Sequence, residues 1–537
     1  MKNTLLFILC LILPLALFSC GGTPPATETA APVTVAPPEE MFVPEDVNPT
    51  YSEEDAAVIT LSGATATTEN DAVRIIGSSI TILDEGTYIL RGTFYGTLTV
   101  LADATDAVTL VLDGASLQAM TAPPLRITKA AKATVIVKGE GNTVKNTGTG
   151  ATEENLSDAI LSKVPLVLSG DGSLYVRAAD GHGITVKDSL TVTGGHYTVH
   201  AKGHALDANK GILLTGCEMT LTAGKDGIHA ESLKNPSLSY LYIADGRYTV
   251  TAAGDAITTS DTMQIRAGEF TLTAGGGSRG TTDKTLTGGK GLKAAAALLV
   301  AGGSLTVDAA DDAIHSDLSV EIGDATLTLS TADDAIHAND TLRIAAGRIT
   351  VSSCYEGLEA RHVRIDGGSI AIRANDDGIN ALGGTDTTVG DEFASGDGSI
   401  TVTGGTVSIR AARDAIDAKG SLLLSGGTLL LESPVEGGAS PLSYTASATV
   451  TGGTVIGVGS SAAPAAFTSS TQGVLGLPVG SRTAGTAVTV KNAAGEVLVT
   501  HTPTGAYAYL LCSSPLFVPG ECYTVLIGDE ALTATAD

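Results

Sequence analysis

Three features of this 537-residue sequence predict an all-β fold, a right-handed parallel β-helix of about 22 residues per coil with β caps at both ends. The first is a recurring anchor: an acid, then Gly or Ala, then Ile or Leu. It reads Asp226-Gly227-Ile228, Asp255-Ala256-Ile257, Asp312-Ala313-Ile314, Asp334-Ala335-Ile336, Glu356-Gly357-Leu358, Asp377-Gly378-Ile379 and Asp414-Ala415-Ile416. Variants are His182-Gly183-Ile184, His204-Ala205-Leu206 and Lys290-Gly291-Leu292, and six of the nine intervals are 21 or 22 residues. The second is an alternating apolar triplet closed by glycines, as in Leu190-Thr191-Val192-Thr193-Gly194-Gly195 and Ile400-Thr401-Val402-Thr403-Gly404-Gly405. Alternation at period two with β-branched residues is the pattern of short strands. The third is composition: 65 Gly, no Trp, and only 8 Phe and 13 Tyr in a chain that is 43% hydrophobic. Such a core must be aliphatic, which suits stacked coils better than a sandwich packed around Trp.

In chain order, residues 1–20 read as an export signal, with Lys2 followed by the apolar run Leu5 to Phe18. The stretch Leu17-Phe18-Ser19-Cys20 resembles a bacterial lipoprotein signal, which predicts cleavage before Cys20 and acylation of its thiol. The protein is then expected outside the cytoplasm, lipid-anchored to the cell membrane. Residues 21–50 contain seven prolines and read as a solvated tether. Residues 51–170 read as an N-terminal cap and first coils, 171–440 as the repeats, and 441–537 as last coils and a C-terminal β cap. Cys512 and Cys522 lie ten positions apart, and the sequence leaves open whether they are bonded.

Stacking the repeats stacks their side chains. The aliphatic residues Ile184, Leu206, Ile228, Ile257, Leu292, Ile314, Ile336, Leu358, Ile379 and Ile416 form a predicted core ladder, with small residues such as Ala208, Ala338 and Ala418 two positions on. The residue before each Gly/Ala forms one polar column: His182, His204, Asp226, Asp255, Lys290, Asp312, Asp334, Glu356, Asp377 and Asp414. A second column contains Thr185, Asp207, His229, Thr258, Lys293, His315, His337, Glu359, Asn380 and Asp417, and both columns are expected to face outward. Carboxylates stacked about 5 Å apart repel, so their pKa values rise or cations sit between them. Ca²⁺ suits the oxygen-rich set Asp226, Asp255, Asp311, Asp312, Asp333, Asp334, Glu356, Asp376, Asp377, Asp414 and Asp417. Asp312, Asp334, Glu356, Asp377, His315, His337 and Glu359 are the expected contacts to a captured ligand. A solvated acidic edge without a specific ion is the plain alternative, and zinc at His229, His315 or His337 is a further one. The glycine-rich turn Gly383-Gly384-Thr385-Asp386 occurs once and is not a repeated calcium-binding nonapeptide.

These residues resemble a known family, the carbohydrate-binding, clostridial-type secreted proteins with a right-handed parallel β-helix that bind cellulose and acidic sugars. The resemblance rests on Gly96-Thr97-Leu98-Thr99-Val100, Val108-Thr109-Leu110-Val111-Leu112-Asp113-Gly114, Gly141-Asn142-Thr143-Val144, Asp158-Ala159-Ile160-Leu161-Ser162-Lys163, the repeated anchors and Ser513-Ser514-Pro515. It implies a fold similar to calcium-dependent pectate lyases, calcium sites, and polygalacturonate-type ligands from plant cell walls or other acidic polysaccharides.

The net charge is −27 (31 Lys+Arg against 58 Asp+Glu), which argues against nucleic acid as a partner. Bound Ca²⁺ would reverse the local sign and bridge protein to sugar carboxylates. The sequence therefore favours a monomeric polysaccharide-binding surface protein that is not an enzyme, with Tyr240, Tyr242 and Tyr355 as candidate ring-stacking residues. A polysaccharide lyase would need a basic residue to take a proton; Lys290 and Lys293 are the candidates, after an insertion at 276–289. A structural or adhesive role fits the same anchor and rod. No phosphate loop or serine-hydrolase order is present.

Overall fold

The computed structural model describes residues 37–150, 155–279, 288–382 and 397–537. The signal segment with Cys20 and the turn at 383–386 lie outside them. The chain is all-β, 57% strand and 2% helix, and its parallel strands close on themselves around one continuous aliphatic core. Among the described residues no helix is long and apolar enough to cross a membrane.

The register explains the closure. Each short strand pairs in parallel with the strand one circuit further along the chain. The predicted aliphatic ladder is matched residue for residue: Ile184 opposes Leu206, then Ile228, Ile257, Leu292, Ile314, Ile336, Leu358, Ile379 and Ile416. The triplets form a second ladder, from Leu166–Gly170 through Leu190–Val192, Ile212–Leu214 and Leu241–Ile243 to Met263–Ile265. A third runs from Ser173–Ala178 through His196–Ala201, Glu218–Ala223, Arg247–Ala252 and Glu269–Ala274, and on to Arg348–Cys354, Ser369–Ala374 and Thr406–Arg410. Alternate residues of this third ladder point inward and are buried, while the residues between them are mostly exposed. The second glycine of the closing pair adopts positive φ, 83° at Gly195 and 84° at Gly405, a turn that glycine enters without a Cβ penalty.

Parallel pairing begins upstream of the repeats, at Ala57–Gly63 with Gly86–Tyr95 and at Ser79–Ile82 with Thr97–Leu101. At the other end Tyr507–Ser513 pairs antiparallel with Ser447–Gly459, and a four-stranded antiparallel sheet follows with its own apolar cluster. These strands cover the last circuit, which would otherwise expose an unpaired edge.

Two expectations are corrected, and one open point, the state of Cys512 and Cys522, is answered. The described part of the tether is not solvated: Pro38–Met41 and Pro44–Val47 are short helices, and Phe42 between them packs edge-on against Tyr242 at 5.9 Å. Asp46 is buried against Lys132 at 2.5 Å. An apolar residue in a proline-rich stretch found a surface pocket, which composition does not reveal. Tyr242 is consequently buried, Tyr240 partly so, and Tyr355 alone of the three stands exposed. Cys512 and Cys522 are free thiols, the first buried in the cap and the second exposed.

The corner between the third ladder and the first is tight. A Cβ at Gly227 would lie 2.3 Å from Val250 and 2.5 Å from the Ala256 carbonyl oxygen. We expect Gly227→Val to lower unfolding stability by about 1–3 kcal/mol, read by denaturant titration, because the next circuit must move. An unchanged midpoint would refute this account of the corner.

Candidate functional site

The recurrent acid of the anchor sits where the chain turns from the third ladder into the first. Its backbone carbonyl accepts from the small residue one circuit back, as in Gly227 N to Asp255 O at 3.0 Å. Its own N–H has no strand partner. The side chain of the same column one circuit back accepts it. Asp255 N donates to Asp226 Oδ1 at 2.8 Å, Asp334 N to Asp312 Oδ1 at 3.0 Å, Glu356 N to Asp334 Oδ1 at 3.2 Å, Asp414 N to Asp377 Oδ1 at 2.8 Å, and Ser440 N to Asp414 Oδ1 at 2.6 Å. Gly289 N and Lys290 N both donate to Asp255 Oδ1. Histidine serves the same purpose: His204 N donates to His182 Nδ1 at 3.0 Å and Asp226 N to His204 Nδ1 at 3.2 Å. Burial holds His182 below its usual pKa, which keeps that nitrogen available as an acceptor. The column is thus first a hydrogen-bond ladder that satisfies corner amides.

Both columns are more enclosed than expected. Asp255, Asp312, Asp334, Glu356, Asp376, Asp377, Asp417, His315 and His337 are all buried, because stacked neighbours cover one another. Asp226, Asp311, Asp333, Asp414 and Glu359 are partly buried. The structure brings the predicted residues together in groups: His204, Asp226 and His229; Asp312, His315 and His337; Asp334, His337 and Glu359; and Asp311, Asp312 and Asp333.

Most of these groups carry their own cation. Lys290 Nζ donates to Asp311 Oδ1 at 2.8 Å and Asp312 Oδ2 at 2.6 Å. His315 bridges Asp312 at 2.7 Å and Asp317 at 2.9 Å, and His337 lies 2.9 Å from Glu359 and 3.0 Å from Asn339. Burial opposes the charge on His337, but its contacts with Asp334 and Glu359 raise its pKa well above the usual histidine value. Burial likewise disfavours a charged Asp312, yet Lys290, His315 and His337 hold it far below the usual carboxylate range. Both ring nitrogens of His315 and of His337 are thus engaged by neighbouring side chains. Against the same burial, Asp312 and Asp311 keep Lys290 protonated far above the usual lysine range, so it is unfit to take a proton from a sugar. Lys293 lies 3.9 Å from Asp255. Lys290 thus acts as a neutralising partner of Asp311 and Asp312.

The supply of internal cations thins toward the C-terminal circuits. Burial and repulsion from Glu359 push Glu356 up to about 9. Burial, with Asp414, Asp376 and Asp417 nearby, pushes Asp377 up to about 7 despite the amide that Asp377 accepts. Burial also raises Asp414. Arg413 meets Asp376 at 3.3 Å and Lys419 meets Asp417 at 2.5 Å. Two oxygens here are buried and unpartnered: Asn380 Oδ1 and Asp417 Oδ1, on residues that oppose each other in register. Asn380 shares the second column with Asp417, but its neutral amide lacks the charge that marks the acids as cation ligands in the sequence.

Two tests follow. Asp377→Asn retains an acceptor for Asp414 N and removes repulsion, so in chelator at pH 8 it should be as stable as the parent or more so. Asp377→Ala strands that amide and should cost about 1–3 kcal/mol; equal losses in both variants would rule out the acceptor ladder. The second concerns pH. Glu356 and Asp377 have folded pKa values above their ordinary 4.5 and 3.8, so the folded state binds more protons than the unfolded. Stability in chelator should therefore fall as pH rises from 5 to about 9, and thermal melts that rise across that window would contradict the assignment.

Comparison with known proteins agrees with a carbohydrate context. The profile of the family described as carbohydrate-binding domain-containing protein matches residues 76–335 and 323–474. A carbohydrate-binding domain-containing protein of Acetivibrio thermocellus is 30% identical over 212 residues, covering 38% of this chain and 74% of the relative. A solved structure titled as the polysaccharide lyase-like protein from C. thermocellum, gadolinium derivative, is 24% identical with a TM-score of 0.41, covering 45% of this chain and 96% of that one. With that family profile spanning most of the repeats, the chain belongs to the carbohydrate-binding domain-containing protein family.

Proposed function

We propose that this protein is a lipid-anchored, extracytoplasmic surface protein that binds acidic polysaccharide of the polygalacturonate type with the help of Ca²⁺. In this reading the closed parallel ladders are a right-handed β-helix, Cys20 carries the anchor, and the protein acts as a monomeric binding module. One observation carries the calcium part: the unpartnered buried oxygens of Asn380 and Asp417, on the circuits where Asp377 and Asp414 are raised. Lys419 takes only the other oxygen of Asp417, Oδ2, and the remaining all-oxygen donor set fits a hard cation with flexible coordination. At Asp311 and Asp312 the fit fails, because Lys290 already occupies the space between the carboxylates. Asp377, Asn380, Asp414 and Asp417 would hold the ion, and Asp376 and Glu356 would add negative potential. Bound Ca²⁺ supplies positive charge that a uronate carboxylate can share. The chain's own residues fix the corner backbone, and the burial of Asp377, Asn380 and Asp417 would limit the access of water to a bound cation.

The test is calorimetric. Chelator-stripped protein is titrated with Ca²⁺ and then with oligogalacturonate. Saturable calcium binding should be followed by sugar binding at least about tenfold tighter than in chelator, and Asp417→Asn with Asn380→Ala should remove that gain. Absence of sugar binding in both conditions, from a folded sample, would sink the acidic-glycan reading. A sugar affinity indifferent to Ca²⁺ would sink the calcium part alone.

A further inference from the structure

A second anion-binding feature lies on the same two circuits, on the outer face of the third ladder. Arg373 and Arg410 oppose each other in parallel register, each four residues before its acidic corner residue, Asp377 and Asp414. Both are exposed and both line a cleft of about 440 Å³ between this face and the C-terminal cap. Neither makes an ion pair or side-chain hydrogen bond among the described residues.

Two stacked guanidinium groups about 5 Å apart repel, and elsewhere the chain relieves this. Arg343 and Arg364 oppose each other in the same way, and there Glu321 meets Arg343 at 2.6 Å while Asp366 meets Arg343 at 2.9 Å and Arg364 at 2.7 Å. At Arg373 and Arg410 the natural counter-charge is Glu432, which opposes Arg410 in register. Glu432 is engaged elsewhere. It accepts from Thr504 N at 2.9 Å, Thr504 Oγ1 at 2.7 Å and Gly505 N at 3.0 Å. Burial disfavours its charge, but these bonds and His501 hold its pKa near 2, so it stays ionised as a clamp on the cap. The cap therefore takes the carboxylate, and among the described residues the arginine pair is left open in a protein of net charge −27. The rest of the cleft suits a polyhydroxylated ligand. Ser352, Ser408 and Thr504 contribute hydroxyls, and His501 Nε2 is buried without a hydrogen-bond partner, 3.5 Å from Glu432. The volume falls in the range of small-ligand pockets, roughly 300–1,000 Å³.

The geometry points to Arg373 and Arg410 as a metal-independent carboxylate-binding subsite for a uronic-acid residue of an acidic glycan. It rests on the acidic-glycan reading above and assigns a part of that recognition to guanidinium rather than to calcium. Arginine's planar fork matches a carboxylate with two parallel hydrogen bonds, which a lysine cannot reproduce.

The experiment compares the full chain with R373Q/R410Q and with R373K/R410K, titrated with oligogalacturonate in excess chelator. Carboxyl-reduced oligogalacturonate, which is neutral, and poly-glutamate are the control ligands. We expect chelator-resistant binding of the uronate oligomer, weakened about tenfold or more in R373Q/R410Q and only partly recovered by the lysines, with no binding of the neutral oligomer. Unchanged binding in R373Q/R410Q, with calcium-dependent binding still present, would overturn the subsite and leave the acidic-glycan function standing. No uronate binding in any condition would remove both. Poly-glutamate bound as tightly as the uronate oligomer would overturn the assignment to a sugar. Matching thermal melts establish that the variants are folded, as expected for exposed side chains.

Discussion

Among the described residues, one hydrogen bond recurs on most circuits at the turn from the third ladder into the first, and the architecture depends on it. Where the chain leaves the third ladder, one backbone N–H per circuit falls out of register with its strand partners. An unpaired buried amide costs about 1–3 kcal/mol, and the penalty would recur with each circuit. An acceptor side chain one circuit back removes it. Asp226, Asp255, Asp312, Asp334, Asp377 and Asp414 all do so, and His182 and His204 do it with an imidazole nitrogen. The exceptions obey the same logic. Lys290 has no acceptor, so Asp312 N turns to the carboxylate of Asp311 at 2.9 Å. Glu356 reaches instead to the Asn380 amide at 3.0 and 3.1 Å.

That solution creates the charge problem that organises the polar columns. A short acceptor suited to a tight corner is usually a carboxylate, and stacking carboxylates concentrates negative charge in a desolvated strip. The middle circuits answer with Lys290, His315 and His337. The later ones provide less, and there the carboxyl pKa values climb and two oxygens remain unpartnered. On the neighbouring face of those same circuits the imbalance is reversed, with Arg373 and Arg410 exposed while Glu432 is committed to the cap. Complementary charge imbalances therefore meet on one short stretch of the fold.

The repeat made the core readable. A fixed period places Ile184, Leu206, Ile228 and their successors in one row whatever the turns do, and the pairing register reproduces that row. The polar columns were readable as columns, but not in their role. Sequence spacing indicates that Asp226 and Asp255 are neighbours; it does not indicate that one carboxylate accepts the other's amide, since that depends on how the backbone bends at Gly227 and Ala256. Burial was misjudged for the same reason: a residue on the outer side of a straight strand is covered once its stacked neighbours close over it.

Periodicity is a property of the chain, and it determined the β class, the aliphatic ladder, the polar columns and the scarcity of internal cations along the later circuits. The tertiary structure alone decided which charges cancel. Lys290 and Asp312 lie 22 residues apart and His337 and Glu359 another 22, and those pairs follow from the repeat. Glu432 and Thr504 are 72 residues apart, joined by an antiparallel cap that obeys no repeat. Whether Arg410 keeps its counter-ion thus depends on how a distant segment folds back, because electrostatics acts through space while the repeat acts along the chain.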